Sequence, residues 1–185
     1  MKKKVLFDRS VSFEKNKFGH CVVTIIGQEI KGEEEIERLE SSGFVLSQFA
    51  KIILTSGGYD KKHRLEKGKR YRIALIPKSE IGDTVTAEYM KYFGKKFGYE
   101  IPKAGIMPRI REAFSDEKMK EMNLETIIGF HKPIVAYLDH TFIFRIDRDL
   151  YDDGLCLGAA LWSEEMDNVF CGKEAFAFMV PSADA

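Results

Sequence analysis

Four aspartates, Asp147, Asp149, Asp152 and Asp153, fall within seven positions of one another. Carboxylates at this density could hold a divalent cation through their oxygens. A calcium loop, however, needs its ligands at a fixed spacing: Asp or Asn at positions 1, 3 and 5, Gly at 6 and Glu at 12. Counting from Asp147, Asp149 fits the third position. Tyr151, Asp152 and Gly158 then occupy the fifth, sixth and twelfth, where the ligand pattern fails. The flanking segments TFIFRID and LCLGAALW read as strands, not helices, and Asp-Asp-Gly between them is turn chemistry. The expectation is a β-hairpin whose Asp147–Asp153 tip is hydrated.

A thiol–imidazole pair is the second chemistry to weigh, with Cys21 as nucleophile, His140 as base and Asp147 to orient it. Cys21 heads the apolar run CVVTII, which supplies no cation or helix N-terminus to lower a thiol pKa. Its neighbour His20 would point to the opposite face of a strand. Cys21, Cys156 and Cys171 therefore read as structural thiols. Three cysteines, an odd number without CxxC spacing, argue against a disulfide framework and for a reducing, cytoplasmic setting. His63 and His131 complete no zinc spacing. No cofactor or metal is implied.

Charge is the third signal. The chain is neutral overall, with 29 basic and 29 acidic residues, but unevenly so. Between Lys61 and Arg72 there are seven bases and one acid; between Asp147 and Asp167 there are seven acids and one base. Lys61, Lys62, Arg64, Lys67, Lys69 and Arg70 could contact phosphates, with Tyr59 and Tyr71 placed to stack on bases. No phosphate-binding glycine pattern accompanies them, and a solvated loop is the favoured reading, with nucleic acid disfavoured. Asp152, Asp153, Glu164 and Glu165, with Trp162 as an aromatic anchor, could face a basic protein partner or a second copy of the chain. The leading expectation is thus a non-enzymatic binding protein with an acidic C-terminal hairpin surface. A small hydrolase or divalent-metal enzyme using His140, Cys21 or the Asp147–Asp153 cluster is the first alternative. Nucleic-acid binding through 61–72 is the second.

These residues must be positioned by a chain of 185 residues, 44% apolar, which suffices for a buried core. No apolar run has the length of a membrane span, and Val5-Leu6-Phe7 is too short for a signal peptide core. Strands are expected at 4–13, 20–30 and 71–77, and again from Thr126 onward. KGEEEIERLESSG reads as a short acidic helix. FVLSQFAKIILTSGG reads as a helix with Val45, Phe49, Ile52 and Ile53 on one stripe, capped by Ser41 or Ser42 and ended by Gly57-Gly58. A second main helix is expected over 84–97 with Asp83 as its cap, and Gly94 should weaken it by ~1 kcal/mol. IMPRIREAF and SDEKMKEMN read as short helices, the latter capped by Ser115. The expected fold is a single compact α+β domain over 1–185: a mostly antiparallel sheet with the two main helices on one face.

Overall fold

The structure, a computed structural model, describes residues 11–82, 86–148, 156–162 and 172–181. The chain opens with the hairpin β1 (Ser12–Lys15) and β2 (Cys21–Ile26). Next come α1 (Gly32–Ser41), the two-residue β3 (Val45–Leu46), α2 (Gln48–Leu54) and α3 (Gly57–Lys62). β4 (Arg70–Pro77) leads into α4 (Lys78–Ile81), α5 (Ala87–Lys96), α6 (Ile106–Ala113) and α7 (Asp116–Glu121). The remainder is β5 (Thr126–Gly129), β6 (Ile134–Tyr137), β7 (His140–Asp147), β8 (Cys156–Leu161) and β9 (Glu174–Val180).

The class is α+β, but two features differ from the expectation. The sheet is mixed. Its order is β1-β2-β4-β9-β5-β7-β8-β3, with β6 also paired to β7. β9 runs parallel to β5, and β3 parallel to β8. Both pairings join segments far apart in sequence, so no local turn signal announces them.

The second difference is that helices cover both faces. Along β4, Ile73 and Leu75 enter one apolar cluster while Ala74 and Ile76 enter another. β9 alternates likewise, with Ala175 and Ala177 on one side and Phe176 and Phe178 on the other. The first cluster takes Leu39 of α1, Ile53 and Leu54 of α2, Tyr59 of α3, Ile110 of α6 and Met119 of α7. The second takes Ile81 of α4, and Met90 and Phe93 of α5. The helices expected to share a face thus lie on opposite sides. The continuous apolar run Ile73–Ile76 is the mark of a strand buried on both faces.

Local chemistry explains the shifted boundaries. α1 runs on to Ser41, so Ser41 and Ser42 close a helix instead of opening one. Val45 and Leu46 then pair with Cys156 and Leu157 as a strand. α2 begins after Ser47, whose hydroxyl accepts from Ala50 N at 3.1 Å. Gly57-Gly58 opens α3 behind the Ser56 cap. α5 is capped by Thr86, which accepts from Tyr89 N at 3.1 Å; Asp83 lies outside the described residues. Ser115 caps α7 as expected. β7 and β8 pair antiparallel from Phe142↔Leu161 to Asp147↔Cys156, which bears out the hairpin flanks.

Gly94 has a packing role that its helix propensity conceals. A Cβ there would lie 2.7 Å from Cε1 of Phe178 on β9. The missing side chain is what lets α5 approach the sheet. Gly94→Ala should therefore destabilise the protein by about 1–3 kcal/mol through overpacking, despite the ~1 kcal/mol helical advantage of alanine. Urea unfolding checks this; an unchanged or raised midpoint would contradict it.

Candidate binding groove on the open sheet face

Helix α5 does not reach the top of its face. It covers the row in which Val22, Ala74 and Phe178 stand side by side on β2, β4 and β9. The next row of that face, Ser12–Thr24–Arg72–Val180, runs across β1, β2, β4 and β9 beyond the end of the helix. Beyond it Arg70 and Ile26 are paired and exposed. From β1 to β9 this open face is ~14 Å wide, three strand spacings of about 4.8 Å.

Two concavities sit on it. One, of about 400 Å3, is bounded by the β1–β2 turn and the chain leaving α5, including Lys15, Asn16, Lys17, Phe18, Phe97 and Tyr99. The other, of about 760 Å3, includes Lys69, Arg70, Glu66, Glu100 and Lys103. They share Glu14, Arg72, Val180 and Pro181, and so form one continuous groove. A flanking cleft of about 410 Å3 adds Lys91 and Lys95 beside Tyr99 and Glu100. Eight cationic side chains and three carboxylates line the whole, an excess of five positive charges on a neutral chain. Some of this charge is paired: Arg72 with Glu14 at 2.5 Å, and Lys69 with Glu66 at 3.0 Å.

The aromatic end is built rigidly. Gly19, at φ +86°, closes the turn after β1, and its N–H donates to Asn16 O at 2.9 Å. Asn16 Oδ1 accepts from the backbone N–H groups of Phe18 and His20, at 3.0 and 3.2 Å. That fixes the amide orientation, so Nδ2 must donate to Tyr99 Oη, 2.5 Å away. Tyr99 Oη is 2.8 Å from His20 Nδ1, and His20 Nε2 is 2.9 Å from Glu80 Oε2. Tyr99 donating to Nδ1, with the Nε2–H of His20 donating to Glu80, satisfies every contact. His20 is fully buried, and this network accounts for both its nitrogens. Phe97 stacks on Tyr99 with ring centres 5.8 Å apart. Phe18 meets Phe97 edge-on at 5.0 Å, yet remains 41% exposed. Burial pushes the Tyr99 hydroxyl above its ordinary pKa, so it stays a neutral donor.

The sequence-derived candidates are distributed otherwise. Of the six basic residues, Lys69 and Arg70 line the groove. Lys61 and Lys62 end α3, whose Tyr59 packs on the opposite face of the sheet. Arg64 donates to Asp60 O at 2.8 Å, and Lys67 sits exposed in the turn before Gly68. Segment 61–72 is therefore not a single patch, although its last residue, Arg72, also lines the groove. The partners missed in the sequence are Lys15, Lys17, Lys91, Lys95 and Lys103. One signal was present: on β4, Arg70 and Arg72 are followed on the same face by Ala74 and Ile76, marking where the helical cover stops.

The hydrolase residues do not converge. β2, with Cys21, is separated from β7 by β4, β9 and β5, which is ~19 Å at the usual strand spacing. His140 and Asp147 stand at opposite ends of β7, seven residues or ~23 Å apart. Burial raises the Cys21 thiol pKa against the opposing pull of Lys118 and Lys15, which disfavours a thiolate. Asp147 accepts from Thr126 Oγ1 at 2.9 Å and Arg145 Nε at 2.6 Å, so it is tied to the sheet and not turned freely to water. Trp162 is partly buried on Phe130, ring centres 5.8 Å apart, and closes a strand end. Asp149, Asp152, Asp153, Glu164 and Glu165 lie outside the described residues. Among the described residues, no group of three His, Cys, Asp or Glu is placed to hold a metal ion, and no helix is long and apolar enough to cross a membrane.

Two further polar centres are buried on the other side of the sheet. Glu35, Arg38, Arg109 and Glu112 form a closed ring of alternating charges between α1 and α6. His63 and His131 lie with ring centres 5.7 Å apart beside the break between β5 and β6. Neither centre opens on the groove. Comparison with protein-family models, with curated proteins and with solved structures found no match to this chain.

Proposed function

We propose that the protein is a non-enzymatic binding module that holds a phosphate-bearing polyanion in the groove above α5. The observation that carries this reading is the convergence of cations from four separate segments onto one uncovered stretch of sheet. Lys15 and Lys17 come from the first hairpin, Lys69, Arg70 and Arg72 from the start of β4, Lys91 and Lys95 from α5, and Lys103 from the loop after it. A merely solvated surface has no need to concentrate positive charge in a concavity while the chain as a whole is neutral. The free thiol of Cys21 suits a reducing compartment, and the cytoplasm is the setting we propose.

Binding of this kind releases counterions, so affinity must fall steeply with salt. Affinity for inorganic polyphosphate and for a labelled oligonucleotide should drop at least tenfold between 50 and 200 mM salt. Arg70→Glu combined with Lys103→Glu should weaken both ligands at least tenfold and flatten the salt dependence. Both positions are solvent-accessible, and matching melting temperatures would show that the fold is kept. Failure to bind either polyanion at low salt, or unchanged affinity in the charge-reversed protein, would reject the reading.

A further inference from the structure

We infer that the occupant of the groove is single-stranded nucleic acid, with one base seated at its aromatic end; this rests on the polyanion-binding reading above. Charge complementarity alone would admit any polyanion. The two ends of the groove, however, differ in chemistry. The larger concavity sets four cations, Lys69, Arg70, Arg72 and Lys103, against three carboxylates, and its cations suit a phosphate backbone. The smaller presents exposed Phe18 and half-buried Phe97, backed by buried Tyr99, beside the cations of Lys15, Lys17 and Arg72 and the carboxylate of Glu14. An aromatic wall beside cations matches an unstacked base with its own phosphate, because every base presents a π-face. A duplex keeps its bases stacked away from such a wall, and polyphosphate or polyglutamate has no ring to place there.

The wall is preorganised. Phe97 and Tyr99 are held by stacking and by the Asn16–Tyr99–His20–Glu80 chain of hydrogen bonds, so little ordering is left for the ligand to bring about. Phe18 is the exposed member. The Lys17 ammonium lies 4.9 Å from the centre of its ring. A base stacking on Phe18 displaces that ammonium toward the adjoining phosphate, so stacking and charge pairing form together.

The experiment measures binding of oligothymidylate, the corresponding duplex, polyphosphate and polyglutamate to the whole protein and to Phe18→Ala and Phe18→Tyr. The expected order places oligothymidylate above the other three. Phe18→Ala should weaken oligothymidylate about tenfold and leave polyphosphate unchanged, while Phe18→Tyr retains both. Tyr137→Ala, at an exposed aromatic on β6, should have no effect. If Phe18→Ala leaves oligothymidylate binding intact, or if polyphosphate or duplex binds as tightly, this inference falls while the groove reading stands; if polyglutamate binds as tightly, the phosphate-bearing reading falls with it. If neither oligothymidylate nor polyphosphate binds, both fall.

Discussion

Arg109→Ala should cost the protein about 3–5 kcal/mol. Arg109 is buried on α6 and contacts Glu35 of α1 through Nη2. Its Nη1 lies 2.9 Å from Glu112 Oε2. Arg38 contacts the same two carboxylates, Glu35 at 3.0 Å. Each carboxylate therefore has two guanidinium partners, and each guanidinium has two carboxylates. Removing Arg109 takes a buried cation from both Glu35 and Glu112 and leaves a cavity where the side chain stood. The cost is the desolvation of charge left uncompensated, not the energy of two surface ion pairs. Arg109→Met combined with Glu35→Met removes one charge of each sign and should be less damaging than Arg109→Ala alone, a clear departure from additivity. Chemical denaturation of the three proteins checks it. A loss below about 1 kcal/mol for Arg109→Ala would show that the ring contributes no more than exposed pairs do.

The second large effect is acid sensitivity. His131 accepts from Phe144 N through Nε2, at 2.9 Å, and lies 2.8 Å from Lys132 O through Nδ1. Its ring is therefore the neutral tautomer protonated at Nδ1. His63 accepts from Ala104 N through Nδ1, at 3.1 Å. Burial is the main cause that pushes both pKa values down, His63 to about 4 and His131 to about 3, and nearby lysines add to the effect at His63. Unfolded, both return toward their ordinary value of about 6.5. Below that pH the unfolded chain binds protons that the fold refuses. The stabilisation is complete above about 6.5 and is lost as pH falls toward 4 for His63 and 3 for His131. Two pH units of this linkage amount to about 3 kcal/mol per histidine. Glu35 works in the opposite sense. Burial foremost, with the neighbouring Glu112, raises its carboxyl to about 7, against the pull of Arg38, so its contribution is present below 4.5 and declines toward 7. The test is therefore a difference. His131→Gln should be less stable than wild type at pH 7.5, and the gap should narrow by about 3 kcal/mol on acidification to pH 4.5. A gap independent of pH would mean that His131 titrates alike in both states.

Much of the local structure was legible, because local chemistry decides it. Ser115 before α7, the three glutamates at the start of α1, and the alternation of Phe142, Phe144 and Ile146 act over a few residues and stand as the sequence indicates. Where the fold departs from the local pattern, the cause is tertiary. Val45, Phe49 and Ile52-Ile53 do have helical spacing, yet Val45 pairs with Cys156 of a strand more than a hundred residues away. The apolar content of β4 was visible, but its double-sided burial depends on which helices arrive, and that decided the placement of α5. The groove was the hardest to read. Its cations are drawn from four stretches, of which only one is a charge run. The runs that catch the eye are divided between faces, as Lys61 and Lys69 show. His20 gave no hint of its role, since Tyr99 and Glu80 meet it only through the fold.

β9 has a consequence for how the protein is made. It is the last strand described, yet it stands in the interior of the sheet, paired to β4 on one side and β5 on the other. Without it, β1, β2 and β4 would form one ribbon and β5 through β8 with β3 another, each with an open hydrogen-bonding edge. Phe176 and Phe178 would be missing from the apolar layer under α5. A ribosome-bound chain therefore carries two unfinished sheets until residue 180 emerges from the exit tunnel. During that interval its exposed edges invite pairing with other chains. Closure is then a zipper of one seven-residue strand between two waiting halves, and chaperone demand should peak just before it.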